Sequence, residues 1–244
     1  MSSFSRDSGR SRLPLNEQLR ILAECGIRLA AGVDTGALTR SFDESQFEAD
    51  PFRLALTAMG NQAEDPRQTG HSGFLSDDVW HFDTECVEGS GAYAAIATRL
   101  ATLARGELPL ESVQDHVDVD NGVAWLEFVL DGERHHWTVA VQDDWVDSKI
   151  ISRLSTLLTG RSSAHRRFTY IDLGGQDCLI GCATSEQKRR LQERTGLTVN
   201  WLEESSVSFR PKAPEISARL AFGIDSVSAY AACFTSFSIC PSLM

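Results

Sequence analysis

The sequence predicts an α+β fold: an antiparallel sheet built around a three-strand meander with packed helices, in the order β-α-βββ-α-ββ-α, preceded by a helical N-terminal portion. Three observations predict it. Residues 113–120, 123–130 and 133–142 alternate apolar and polar side chains, the pattern of half-buried strands. They are separated by Asn121-Gly122 and Asp131-Gly132, dipeptides that readily take the positive φ angles of two-residue type I′ turns. Capped helical periodicities flank them, and neither a long repeat nor strictly alternating βα units occurs, which argues against a Rossmann or TIM architecture.

The turns imply a register. Closing residue 120 on 123 and residue 130 on 133 places His116 opposite Glu127 and Glu127 opposite His136, in one row on one face. On the other face Val117, Leu126 and Trp137 form one row, and Val119, Ala124 and Val139 the next. A one-residue slip would expose those apolar groups and bury the histidines, so polarity and turn chemistry agree.

Along the chain, residues 1–13 predict a disordered, basic, Ser-rich tail with Arg6, Arg10 and Arg12. One α+β domain is expected over 14–202, divided into a helical portion 14–60, a loop 61–76 and a sheet-and-helix core 77–202. Pro14-Leu15 opens a helix with Leu15, Leu19, Leu22, Cys25 and Leu29 on one face. Asp50-Pro51 is expected to cap a second, short helix ending at Gly60. A strand is expected over 79–85, then a helix capped by Ser90 and ending near Gly106. After the meander, Asp147 caps a helix that stops at Gly160, and strands 168–173 and 178–183 surround Gly174-Gly175. Thr184 and Gln187 form a capping box for a helix ending at Gly196, whose Lys188, Arg189, Arg190 and Arg194 make a basic patch. A short last strand is expected near 198–202. Residues 203–244 predict a weakly ordered tail, whose apolar stretch 218–240 carries Asp225 and too many hydroxyls for a membrane span.

Composition narrows the function classes. A hydrophobic fraction of 42% over 244 residues supplies a core without disulfides. The six cysteines form no CxxC pair, and the N-terminus does not read as a secretory signal, so reduced thiols and a cytoplasmic location are expected. The formal net charge of −11 disfavours nucleic acid and anionic membranes and favours basic partners. Between Glu111 and Asp147 ten carboxylates accompany a single arginine, Arg134.

Two constellations follow. His116, Glu127 and His136, if opposed on adjacent strands, bring two imidazoles and a carboxylate within reach of one divalent transition metal such as zinc, with Asp118 as base or orienter. The plainer alternative is a solvent-facing surface on which Glu127 pairs with both histidines. Asp143, Asp144, Trp145 and Asp147, with Asp118 and Trp125 on the meander, would suit an aromatic anchor in an acidic surround. They also suit a helix start, with acids at the dipole's positive end and Trp145 as a staple. His81, Asp83 and Glu85 fit an ordinary half-buried strand, Asp118-Val119-Asp120-Asn121-Gly122 lacks the distal glutamate of a calcium loop, and Cys178 and Cys182 fit buried apolar roles.

The leading expectation is an acidic cytoplasmic protein-binding domain that recognises a basic protein partner, holds no cofactor, and binds neither nucleic acid nor membrane. Toxin-neutralising immunity and inhibitor proteins work by the same logic, an analogy of type alone. The alternative is a metal-dependent hydrolase using the His-Glu-His row.

Overall fold

The computed structural model describes residues 12–64 and 72–202. The tail expected over 203–244, and all of the N-terminal tail but Arg12 and Leu13, lie outside the described residues.

The fold is α+β, with antiparallel sheets and a helical N-terminal portion. That portion comprises α1 (Leu15–Glu24), a short 3-10 turn at Thr35–Ala37, α2 (Glu44–Ala49) and α3 (Arg53–Gly60). A small hairpin, β1 (Gln62–Glu64) and β2 (Ser72–Phe74), stands where the sequence reads as loop. Then come β3 (Val79–Asp83), α4 (Ala92–Leu103), the meander β4 (Leu110–Asp118), β5 (Val123–Leu130) and β6 (Glu133–Val139), and α5 (Ser148–Gly160). The chain continues through β7 (Arg167–Asp172), β8 (Asp177–Ala183), α6 (Ser185–Thr195) and β9 (Asn200–Trp201). The second sheet has strand order β3-β8-β7-β9.

Side-chain parity on β8 explains the layers. Cys178, Ile180 and Cys182 point into one core, shared with Leu100 of α4, Ile151 and Leu154 of α5, and Leu126, Phe128 and Trp137 of the meander. Leu179 points the other way, into a second core with Leu22 of α1, Phe47 of α2, Met59 of α3 and Leu191 of α6. Four layers result: α1–α3 with α6, the four-strand sheet, α4 with α5, and the meander. The meander's far face carries no layer among the described residues.

The N-terminal helices are tied by a buried glutamine. Gln18 donates to the Leu13 and Phe47 carbonyls at 2.7 and 2.9 Å and accepts from Phe52 N–H at 2.8 Å. Phe52 adopts φ 65°, so α3 starts one residue later, and Asp50-Pro51 serves as the joint between α2 and α3 rather than as a cap. The Thr184–Gln187 capping box and the left-handed Gly196 bound α6 as the sequence predicts.

The register of the meander is half as predicted. Asp131 and Gly132 take φ 54° and 82°, Leu130 faces Glu133, and Glu127 faces His136. The β4–β5 connection is different. Asp118 accepts from Asn121 N–H at 3.0 Å and from the Asn121 amide at 2.7 Å, Gly122 N–H donates to Val119 O, and of the pair only Gly122 has positive φ. This makes a four-residue loop, 119–122, closed by Asp118 opposite Val123. The pairing shifts by two residues, so Val117 faces Ala124, Asp115 faces Leu126, and Val119 leaves the sheet. A bulge between Glu111 and Gln114, with Ser112 at φ 50°, absorbs the irregularity further along β4.

Candidate protein-recognition face

The uncovered face of the meander presents Gln114, His116 and Asp118 from β4, Val123, Trp125, Glu127 and Val129 from β5, and Arg134, His136 and Thr138 from β6. The two-residue shift removes the expected metal row. His116 stands opposite Trp125, not Glu127, and Gln114 takes its place. Glu127 accepts from the Gln114 amide at 2.9 Å and from Arg134 at 3.0 Å, with His136 Nδ1 at 3.4 Å. Those contacts, Gln114 foremost, hold its carboxyl below the usual carboxylate range. His116, Glu127 and His136 therefore do not converge on a common point. Among the described residues no group of three or more His, Cys, Asp or Glu side chains is placed to hold a metal ion.

What replaces the row is aromatic. The Trp125 ring lies against both imidazoles, 6.0 Å from His116 and 5.3 Å from His136, tilted by 32° and 34°. The two large hydrophobic side chains exposed among the described residues, Val119 at 40% and Val123 at 49%, sit at the same end of this face, in and beside the β4–β5 loop.

That end is also the acidic one, and the backbone shows why. Val117, Ala124 and Val139 share a row, so β6 leaves the sheet beside the β4–β5 loop. The β6–α5 connection then pairs with the β3–α4 connection: Trp145 bridges Glu85, Val87 N–H donates to Asp144 O at 2.8 Å, and Val146 N–H donates to Thr84 O at 2.9 Å. The β3–α4 connection is in turn joined to β4 where the Val117 N–H donates to Ser90 Oγ at 2.9 Å. Three connections thus bring Glu85, Glu88, Asp118, Asp120, Asp143 and Asp144 to one end, all at least partly exposed. These connections carry no lysine or arginine; Lys149 follows in the first turn of α5.

Of the acids and tryptophans expected to face a partner, Asp118 and Trp125 lie on the uncovered face, and Asp143, Asp144 and a half-buried Trp145 lie in the β6–α5 connection. Asp147 does not belong with them. It is 5% exposed, caps α5 by accepting from Lys149 N–H at 3.1 Å, and accepts from Ala140 N–H at 3.0 Å, while its own N–H donates to the Tyr93 hydroxyl. Ser90 is likewise not the cap of α4. Asp115, reaching across from β4, accepts from Gly91, Tyr93 and Ala94 N–H at 2.6, 2.8 and 3.3 Å. Val119, expected in the inner apolar row with Ala124 and Val139, is instead exposed in the loop, and Val123, the first residue of β5, was not singled out by the sequence.

On α6 charge is largely satisfied internally: Arg189 binds Glu186 and Glu193, Arg190 binds Glu186, and Arg194 binds Glu24. Cys178 and Cys182 are buried, and burial pushes both thiols up, Cys182 to about 12, as befits apolar fillers rather than nucleophiles. No described helix is long and apolar enough to cross a membrane.

His81 gives the fold a pH response. Its Nδ1 is 2.9 Å from Asn61 Oδ1 and its Nε2 is 3.7 Å from Asp177. Burial holds His81 below its ordinary pKa, against the opposing pull of Asp177 and Asp83, and burial raises Asp177. With the folded pKa below the unfolded one, the unfolded chain binds the proton more readily, so stability falls as pH drops through the unfolded histidine value, about 6.5. Asp177, raised by burial, acts with the opposite sign. Urea unfolding should therefore show stability declining from pH 7 to 5.5, with His81→Gln flattening that slope; an unchanged slope would assign the decline elsewhere.

Comparison with protein-family models, with curated proteins and with solved structures finds no match to this chain.

Proposed function

We propose that this protein is an acidic protein-recognition domain that takes a basic protein partner on the outer face and acidic end of its meander, in the manner of an immunity or inhibitor protein. The observation that carries the reading is the convergence of six carboxylates from three separate connections around two exposed valines, next to a tryptophan on an uncovered sheet face. An apolar centre within a polar rim is the anatomy of protein interfaces, and single-sign charge steers an oppositely charged partner. Trp125 is the anchor, its ring held by His116 and His136 so that little side-chain freedom is lost on binding.

The immobilised chain is expected to retain basic proteins from the source cell's lysate and to release them at moderate salt. Two variants test the face without touching a cap. Asp120→Asn, Asp143→Asn and Asp144→Asn together remove three charges, and asparagine tolerates the φ of 56° at Asp143. Association with the captured partner at low salt should slow by about tenfold or more. Trp125→Ala should instead speed dissociation, at a cost of roughly 2 kcal/mol if it is the anchor. Unchanged association and dissociation rates in both variants would remove this face from consideration.

A further inference from the structure

β6 is the terminal strand of the meander, seven residues long and paired on one side only, with β5. Among the described residues none of its backbone groups bonds outside that ladder. The remaining long sheet edges are closed. β3 lies directly under α3, where Gly60 packs on the His81 backbone. β4 is broken by its bulge, and its Val117 N–H is taken by Ser90. β9 has two residues. β6 has no proline, lysine or bulge, and its formal charges, Glu133 and Arg134, sit together at its start.

Charge along this edge is graded. The start of β6 sets Glu133 beside Arg134, whose guanidinium binds Glu127, while the strand's far end runs into Gln142–Asp144, beside Asp118 and Asp120, with no lysine or arginine among them. We infer that β6 receives the partner's chain as an added antiparallel strand, a basic extended segment whose cationic N-terminal end lies against Asp143 and Asp144. The inference rests on the recognition reading above and specifies its geometry. Antiparallel addition sets the incoming N-terminus beside the C-terminal end of β6, which is the acidic end. The opposite polarity would bring the cations to the start of β6, where Arg134 offsets the neighbouring carboxylates. Backbone pairing supplies affinity, and His136 and Thr138, on the uncovered face, flank alternate side chains of the added strand.

The probes are peptides titrated against the full chain by fluorescence anisotropy. One is Lys-Lys-Thr-Val-Thr-Val-Thr-Val; a second and third carry N-methyl groups on one or the other alternate set of its backbone amides; a fourth has the sequence reversed. Strand addition predicts that the first binds, that one N-methylated form binds at least about tenfold more weakly because several backbone hydrogen bonds are lost, and that the reversed peptide is also weaker. Equal binding by all four would overturn strand addition and leave a purely electrostatic surface. Absence of peptide binding, while the chain still captures basic proteins through Asp120, Asp143 and Asp144, would overturn strand addition alone. Peptide binding undiminished in the Asp120→Asn, Asp143→Asn, Asp144→Asn variant would overturn the role of the acidic end in both readings.

Discussion

Asp147→Ala is expected to destabilise the fold by about 2–4 kcal/mol, the combined cost of a lost helix cap and of a backbone donor left without its acceptor. The residue lies within an acidic run that reads as surface, Asp143-Asp144-Trp145-Val146-Asp147, yet its carboxylate is sealed beneath the corner it helps to build. One oxygen holds the first turn of α5 and the other holds Ala140 N–H where β6 leaves the sheet. Removing it frees both ends of the β6–α5 connection at once, and with them the backbone that positions Asp143 and Asp144. In a chain of this size the melting temperature should fall by roughly 5–15 °C. Asp147→Asn, which keeps one acceptor oxygen, should lose less. Asp144→Ala, a neighbour in sequence but exposed, should fall within about 0.5 kcal/mol of the parent. Equal, small effects for Asp147 and Asp144 would show that the carboxylate is not buried.

Gly60→Ala is the second large effect, and it comes from space rather than polarity. A Cβ at Gly60 would lie 2.3 Å from the His81 nitrogen and 2.8 Å from the Trp80 carbonyl carbon. Neither neighbour is a side chain that can turn aside; both are backbone of β3. The last turn of α3 must therefore lift from the sheet, opening the core around Leu56 and Met59. Overpacking of this kind costs typically about 1–3 kcal/mol and more when backbone must move, so thermal unfolding should drop by at least several degrees. Gly73→Ala, where a Cβ meets nothing within 4 Å, is the control and should be nearly silent. A fully stable Gly60→Ala protein would mean that α3 does not pack directly on β3.

Much of this architecture was legible because it is local. Thr184 and Gln187 lie three residues apart and satisfy each other, so their capping box needs nothing from the rest of the chain. Asp131-Gly132 turns as written because both residues take the left-handed conformation. Asn121-Gly122 looks equivalent, but Asp118 captures the Asn121 amide and lengthens the loop, a competition between side chain and turn that dipeptide preference does not weigh. The polarity check did not detect the change, since a shift of two residues keeps every side chain that stays in the sheet on its face; Val119, expected in the inner row, is the exception and lies exposed in the loop. That is why the two faces were placed correctly while the metal row drawn across one of them was not. The small helix α2 was missed although Asp43 and Gln46 form a local capping box at its start, its six residues being too few to show a helical period, and the β1–β2 hairpin is made of two three-residue strands in a stretch rich in turn formers.

The cap on α4 has a further consequence for how the molecule comes apart. Because Asp115 stands 21–24 residues from the amides it binds, the first turn of α4 is completed only when β4 is in place. Helix and meander are thereby made one cooperative unit. The amide protons of Tyr93 and Ala94 report on the sheet as much as on their own helix. In hydrogen exchange they should trade with solvent at the rate at which the meander opens, so that a partner clamped on the far face slows exchange on the near side of the layer.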